Sequence, residues 1–144
     1  MNGDFNLTPN FRLFELCKTT HKDLEKTNLE EAKKVMGRMY QLAGFAERIR
    51  AIIGQPLIIN SGFRCVKLNN AVGGSLTSQH LYAEAIDVRV AGKSASEVFR
   101  ILASSDLKYD QLILEKAGNA QWVHVSIGSK KEKLIYENGK YRKL

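Results

Sequence analysis

An apolar stripe from Leu29 to Ile53 constrains this chain more than any other feature. Leu29, Ala32, Val35, Met36, Met39, Leu42, Ala43, Ala46, Ile49 and Ile53 recur largely in steps of three and four. That spacing lays one face of a long helix on a core. Asn28 stands where an N-cap belongs, Glu30 and Glu31 follow in the first turn, and Gly54 supplies a C-terminal stop. A bend is expected near Gly44, and the methionines on the stripe are core filler rather than ligands.

Beyond Gly54 the pattern changes to short strands. Pro56-Leu57-Ile58-Ile59 reads as a strand leading into the loop Asn60-Ser61-Gly62-Phe63-Arg64, and Ala85 to Val90 reads as the next. Ser94 with Glu97 forms a capping box ahead of a helix carrying Val98, Ile101 and Leu102. Gln111 to Glu115 and Trp122 to Ile127 flank Ala117-Gly118-Asn119-Ala120 as an antiparallel hairpin, and Asn138-Gly139 marks a second hairpin after Leu134-Ile135-Tyr136. A short amphipathic piece around Leu13, Phe14 and Leu16 precedes the long helix. Helices followed by strands with one helix inserted predict a single α+β domain over residues 1–144, with a mainly antiparallel sheet and packed helices. At 144 residues such a domain buries a core without staples, so Cys17 and Cys65, in unrelated contexts, are expected as reduced structural thiols.

Other classes are excluded by what the chain lacks. No apolar run approaches the roughly 18 residues of a membrane span, and the N-terminus shows neither a basic n-region nor an apolar h-region, so no secretory signal is visible. The net charge of +7, concentrated in Lys130, Lys131, Lys133, Lys140, Arg142 and Lys143, favours an anionic partner. These basic residues are not interleaved with a stacking set or a helix-turn-helix pattern, so nucleic acid is not expected. A monomer is expected.

Chemistry concentrates in Ser78-Gln79-His80-Leu81-Tyr82-Ala83-Glu84-Ala85-Ile86-Asp87 and in Trp122-Val123-His124. Catalytic zinc sites take three imidazole or carboxylate ligands and leave a fourth position open, and two of the chain's three histidines sit here. His21, in a polar stretch, is the bystander. His80 and Asp87 are seven positions apart, which is about 10 Å on a helix and about 23 Å on a strand. Sharing one ion therefore requires the chain to fold back between Leu81 and Glu84, with Asp87 on a strand returning past His80. His124, between Val123 and Val125, shares a strand face with Trp122 and Ser126. Residue spacing alone leaves a core histidine as good a reading as a ligand.

The first of these segments resembles the Ser-x-His-x-x-Gly-x-Ala-x-Asp signature of the M15 zinc peptidases: D-Ala-D-Ala carboxypeptidases, D-Ala-D-Ala dipeptidases and phage L-alanyl-D-glutamate endopeptidases, whose fold is shared with the Hedgehog signalling domain. Ser78, His80, Ala85 and Asp87 match, and Ala83 replaces the usual glycine. Ser61-Gly62-Phe63-Arg64, Leu68-Asn69, Val72-Gly73-Gly74-Ser75, Asp110-Gln111-Leu112-Ile113 and Trp122-Val123-His124 extend the resemblance along most of the chain.

That resemblance implies His80, Asp87 and His124 as zinc ligands. It also implies Arg64 as the cation that positions substrate or steadies charge on the scissile carbonyl. Some family members carry a glutamate three residues before the last histidine, where this chain has Gln121, so the base is sought elsewhere. Glu115 is the candidate, because pairing across Lys116 and Gln121 sets it opposite Trp122 and diagonal to His124. Glu84 is the alternative, on the face away from Asp87. Ser78, Asn69 and Trp122 are expected to contact substrate, although Ser78 and Asn69 could equally tie loops together. The implied activity is hydrolysis of an amide in the stem peptides of bacterial peptidoglycan, by carboxypeptidase or endopeptidase action. The expected setting is a phage or prophage lysin made in the cytoplasm and acting on the cell wall. A zinc-stabilised binding module of the same fold, without turnover, is the alternative.

Overall fold

The stripe forms helix in two pieces. In the computed structural model, which describes residues 4–144, α1 spans Glu25–Lys33 and α2 spans Met36–Ile53. The break falls at Lys34 and Val35, whose N–H groups bond back only three residues, to Glu31 and Ala32, and so tighten the last turn to a stop. Gly44 does not interrupt the helix, since α2 runs through it unbroken. Met39, Leu42, Ala43, Ala46 and Ile49 are fully buried, and Gly54 ends the helix in the left-handed region at φ 79° with its N–H on Arg50.

Asn28 is not a cap. It sits inside α1, fully buried, and its side chain bonds three backbone groups of distant segments: Nδ2 donates to the carbonyls of Cys17 and Phe63, and Oδ1 accepts from the N–H of Cys65. Cys17 and Cys65 are both buried and free, and burial pushes the Cys17 thiol up to about 12.

Two short strands, β1 (Asn6–Thr8) and β2 (Phe11–Arg12), form a ribbon of their own before a 3-10 turn at Phe14–Leu16. The main sheet has six strands: β3 (Ile58–Ser61), β4 (Ala85–Arg89), β5 (Gln111–Ala117), β6 (Ala120–Ser126), β7 (Glu132–Glu137) and β8 (Lys140–Lys143). Their order is β3-β4-β6-β5-β7-β8, antiparallel at every neighbour except β5 with β7. Strand β6 is itself the crossover for that parallel pair. The chain leaves β6, turns past the start of β5 with Lys131 bonded to Tyr109 and Glu132 to Asp110, and runs up the far side of β5. Gly128 is needed in that passage, because a Cβ there would overlap the Asp110 side chain.

Helix α3 (Val66–Ala71) follows β3, and α4 (Ala95–Ala103) follows β4 with the Ser94–Glu97 capping box formed in both directions. Ile86, Val88, Leu112, Leu114, Val123 and Val125 point to the buried side of the sheet, in one core cluster with the α2 stripe and with Val98 and Leu102 of α4. Period two then sends Asp87, Arg89, Glu115, Trp122 and His124 to the opposite face. Among the described residues, no helix is long and apolar enough to cross a membrane.

Candidate metal centre and cleft

The open face of the sheet is built in rows. Pairing sets Asp87 directly across from His124, His124 across from Ile113, and Ile113 across from Leu134. In the next row Trp122 faces Glu115, Glu115 faces Tyr136, and Tyr136 faces Tyr141.

His80 reaches this face from outside the sheet. A single 3-10 turn, Gln79–Tyr82, is started by Ser78, whose Oγ accepts the N–H of His80, and stopped by Ala83 in the left-handed region at φ 55°. That reversal between Leu81 and Glu84 swings the chain into β4 and brings Asp87 back beside His80. The left-handed residue is an alanine, at a position where the resembled pattern carries glycine; for a residue with a Cβ that conformation costs about 1–2 kcal/mol.

Three candidate ligand atoms converge. His124 Nδ1 lies 3.0 Å from Asp87 Oδ1, and His80 Nε2 lies 3.4 Å from the same oxygen. The three ligand atoms all lie within 4.8 Å of one another. Tetrahedral zinc with bonds of about 2.0–2.1 Å holds neighbouring donors about 3.3 Å apart, so the set fits such an ion. His80 Nδ1 lies 2.7 Å from the Gly62 carbonyl, an acceptor only, so Nδ1 carries the proton and Nε2 turns its lone pair inward. Two imidazole nitrogens thus face one carboxylate oxygen, and His80 Nε2 meets it lone pair to lone pair, a contact that a cation between them would relieve. Burial raises the Asp87 carboxyl, but His80 and His124 outweigh it and hold the group well below the usual carboxylate range.

The loop carrying Gly62 is pinned on both sides. Phe63 donates its N–H to Leu16, Arg64 donates its N–H to the carbonyl of His80, and a Cβ at Gly62 would run into the Leu16 carbonyl. Arg64 projects into the cleft with Nη2 on Ser78 Oγ at 3.2 Å and with Nε buried and unpartnered. Burial lowers its pKa while Asp87 and Glu115 raise it, which places the guanidinium in the field of both carboxylates.

Glu115 stands on the triad's face, and Trp122 Nε1 donates to its Oε2 at 2.5 Å. Burial and Asp87 raise the Glu115 carboxyl, against the pull of His124, Trp122 and His80. A partly desolvated carboxylate on the same face as two imidazoles is a group that can accept a proton.

The cleft has a volume of about 630 Å³ and is lined by Arg64, Ser78, His80, Asp87, Glu115, Trp122 and His124 among others. Asn69 is set behind its wall, 1% exposed, with Nδ2 on the Ser75 carbonyl and its side chain against Gly74. It ties the 73–75 loop that forms one rim. Gln121 is exposed and lies on the sheet face opposite His124, while Glu84 is exposed outside the cleft. His21 lines a separate small depression. Sequence reasoning missed Gly62 as the partner of His80, Tyr136 and Tyr141 as cleft residues, and Trp122 as a donor to Glu115 as well as a wall.

A family model described as Peptidase M15 matches residues 9–126. The matched span runs from β2 through β6 and stops before β7 and β8. No curated protein matches the chain significantly.

Proposed function

The chain belongs to the peptidase M15 family, and from that premise we propose that it is a zinc peptidase cleaving an amide bond in the stem peptides of bacterial peptidoglycan. One observation carries the reading: His80 Nε2, Asp87 Oδ1 and His124 Nδ1 converge on one point, with Glu115 on the same sheet face and Arg64 at the rim.

Zinc held by His80, Asp87 and His124 would supply Lewis acidity, polarising the scissile carbonyl and making water a competent nucleophile near neutral pH. The protein's own groups account for the rest. Glu115 takes a proton from the attacking water as its oxygen bonds to the carbonyl carbon, and returns that proton to the amide nitrogen as the C–N bond breaks. Trp122 fixes the carboxylate that does this. Arg64, held against Ser78 and lining the cleft, offers its guanidinium to substrate carboxylate or to developing charge on the carbonyl oxygen. Ser78 acts by holding the Arg64 guanidinium and the His80 turn.

The placement of Glu115 favours turnover over a binding-only module. The net charge of +7 suits an anionic wall. Zinc stoichiometry of the purified protein, with mass spectrometry of digested muropeptides, tests the reading: one zinc per chain and new peptide termini are expected, and an intact digest with bound zinc would leave only the binding module. A lysin role belongs to the same reading and predicts falling turbidity of wall suspensions exposed to the protein.

A further inference from the structure

The cleft does not end where the matched family span ends. Tyr136 sits directly across from Glu115 on β7, and Tyr141 directly across from Tyr136 on β8. Both rings line the cleft that holds His80, Asp87 and His124, although the matched span stops at residue 126. Their centroids are 4.6 Å apart at an interplanar angle of 53°. Tyr136 is half-buried, but Tyr141 is 59% exposed, so one aromatic face stands free at the end of the row. Gly139, in the turn between β7 and β8, also lines the cleft.

The kind of ligand follows from which groups are offered. These rings project from the face of the sheet, Tyr141 from its edge strand β8, so what meets the rings themselves is read by side chains rather than by a backbone ladder. A free aromatic face with a phenol rim attracts polarised C–H groups through its negative quadrupole and hydrogen-bonds hydroxyls at its edge. A pyranose ring presents both, a flat C–H face and a rim of hydroxyls. Of the hairpin's cations, Arg142 and Lys140 alternate to the other face, and Lys143, on the same face as Tyr141, lies 4.0 Å from Glu132. The Tyr141 phenol is raised by burial and then by Glu115, consistent with a side chain that leans back toward the centre of the cleft.

We propose that Tyr136 and Tyr141 form a sugar subsite, which stacks an amino-sugar ring of the wall glycan while its attached peptide lies across Glu115 and the His80–Asp87–His124 cluster. This rests on the peptidase reading for the peptide, but not for the sugar. The protein then selects stem peptides still joined to glycan over peptides already released from it.

Two measurements decide it. The first compares kcat/KM for a disaccharide-linked stem peptide with that for the same peptide without sugar. The wild type should favour the sugar-linked form, Tyr141→Ala should cut that ratio about tenfold, or about 1.4 kcal/mol, and Tyr141→Phe should keep most of it because the ring face remains. A wild-type ratio near one, or a ratio unmoved by Tyr141→Ala, overturns the subsite. The second titrates zinc-free protein with the disaccharide alone and follows the tyrosine ring resonances by NMR. Shifts confined to Tyr136 and Tyr141 are expected, and undisturbed rings overturn the subsite. Should neither peptide be cleaved while those rings still respond, the peptidase reading fails and the sugar site stands.

Discussion

Trp122 and Glu115 face each other across the β5–β6 pair, and the indole N–H donates to the carboxylate at 2.5 Å. A donor to the charged form lowers a carboxyl's pKa, opposing the burial that raises Glu115. Trp122→Phe removes the donor and keeps an aromatic wall, so Glu115 titrates higher. The acid limb of the kcat/KM profile should move to higher pH, since the base must be ionised to work. An unmoved limb would separate Glu115 from the observed ionisation.

Glu115→Gln should keep zinc bound and lose about 10²–10⁴-fold in wall-peptide hydrolysis, the usual worth of a positioned base. Metal analysis beside a turnover assay on one preparation checks both halves. Retained activity would move the base elsewhere.

Chelation should destabilise the protein. Zinc at about a hundred times its dissociation constant adds about 2.7 kcal/mol to unfolding by mass action, so melting temperature should climb with zinc in the wild type and stay flat in His124→Ala. Thermal scans across a zinc series read this directly.

Gly62→Ala should loosen the metal centre without touching a ligand. Its new methyl meets the Leu16 carbonyl, which displaces the Gly62 carbonyl from His80 Nδ1. Loss of such a supporting bond costs about 10–100-fold in metal affinity, measurable by competition with a chromogenic chelator.

Asn28→Ala removes three buried hydrogen bonds at about 1 kcal/mol each. Urea unfolding should shift by about 3 kcal/mol with an unchanged slope. A shift under half that size would mean the three backbone groups find other partners.

Much of the site was legible because alternation along a strand is local. Period two put Trp122 and His124 on one face, and the expected hairpin pairing across Lys116 and Gln121, which is the one observed, added Glu115 to it. The fold-back after His80 was legible by distance, since seven residues in any regular element keep His80 and Asp87 apart. Asn28 was misread because a polar residue in the first turn looks the same whether it caps its own helix or bonds segments far along the chain. The parallel neighbour of β5 was hidden for a related reason: alternation fixes which way side chains point, and says nothing of which strand lies alongside. That is why Tyr136 and Tyr141 could not be placed at the cleft in advance. The six-residue α3 was too short to carry a periodic signal.

The Gly62 loop is wedged between the Leu16 turn and the His80 ring, so events at the metal should be felt near the amino terminus. Backbone amides around Leu16 should exchange with solvent more slowly once the ion is loaded. Trimming the chain back to α1 in search of a minimal enzyme would remove the abutment against which the histidine is held.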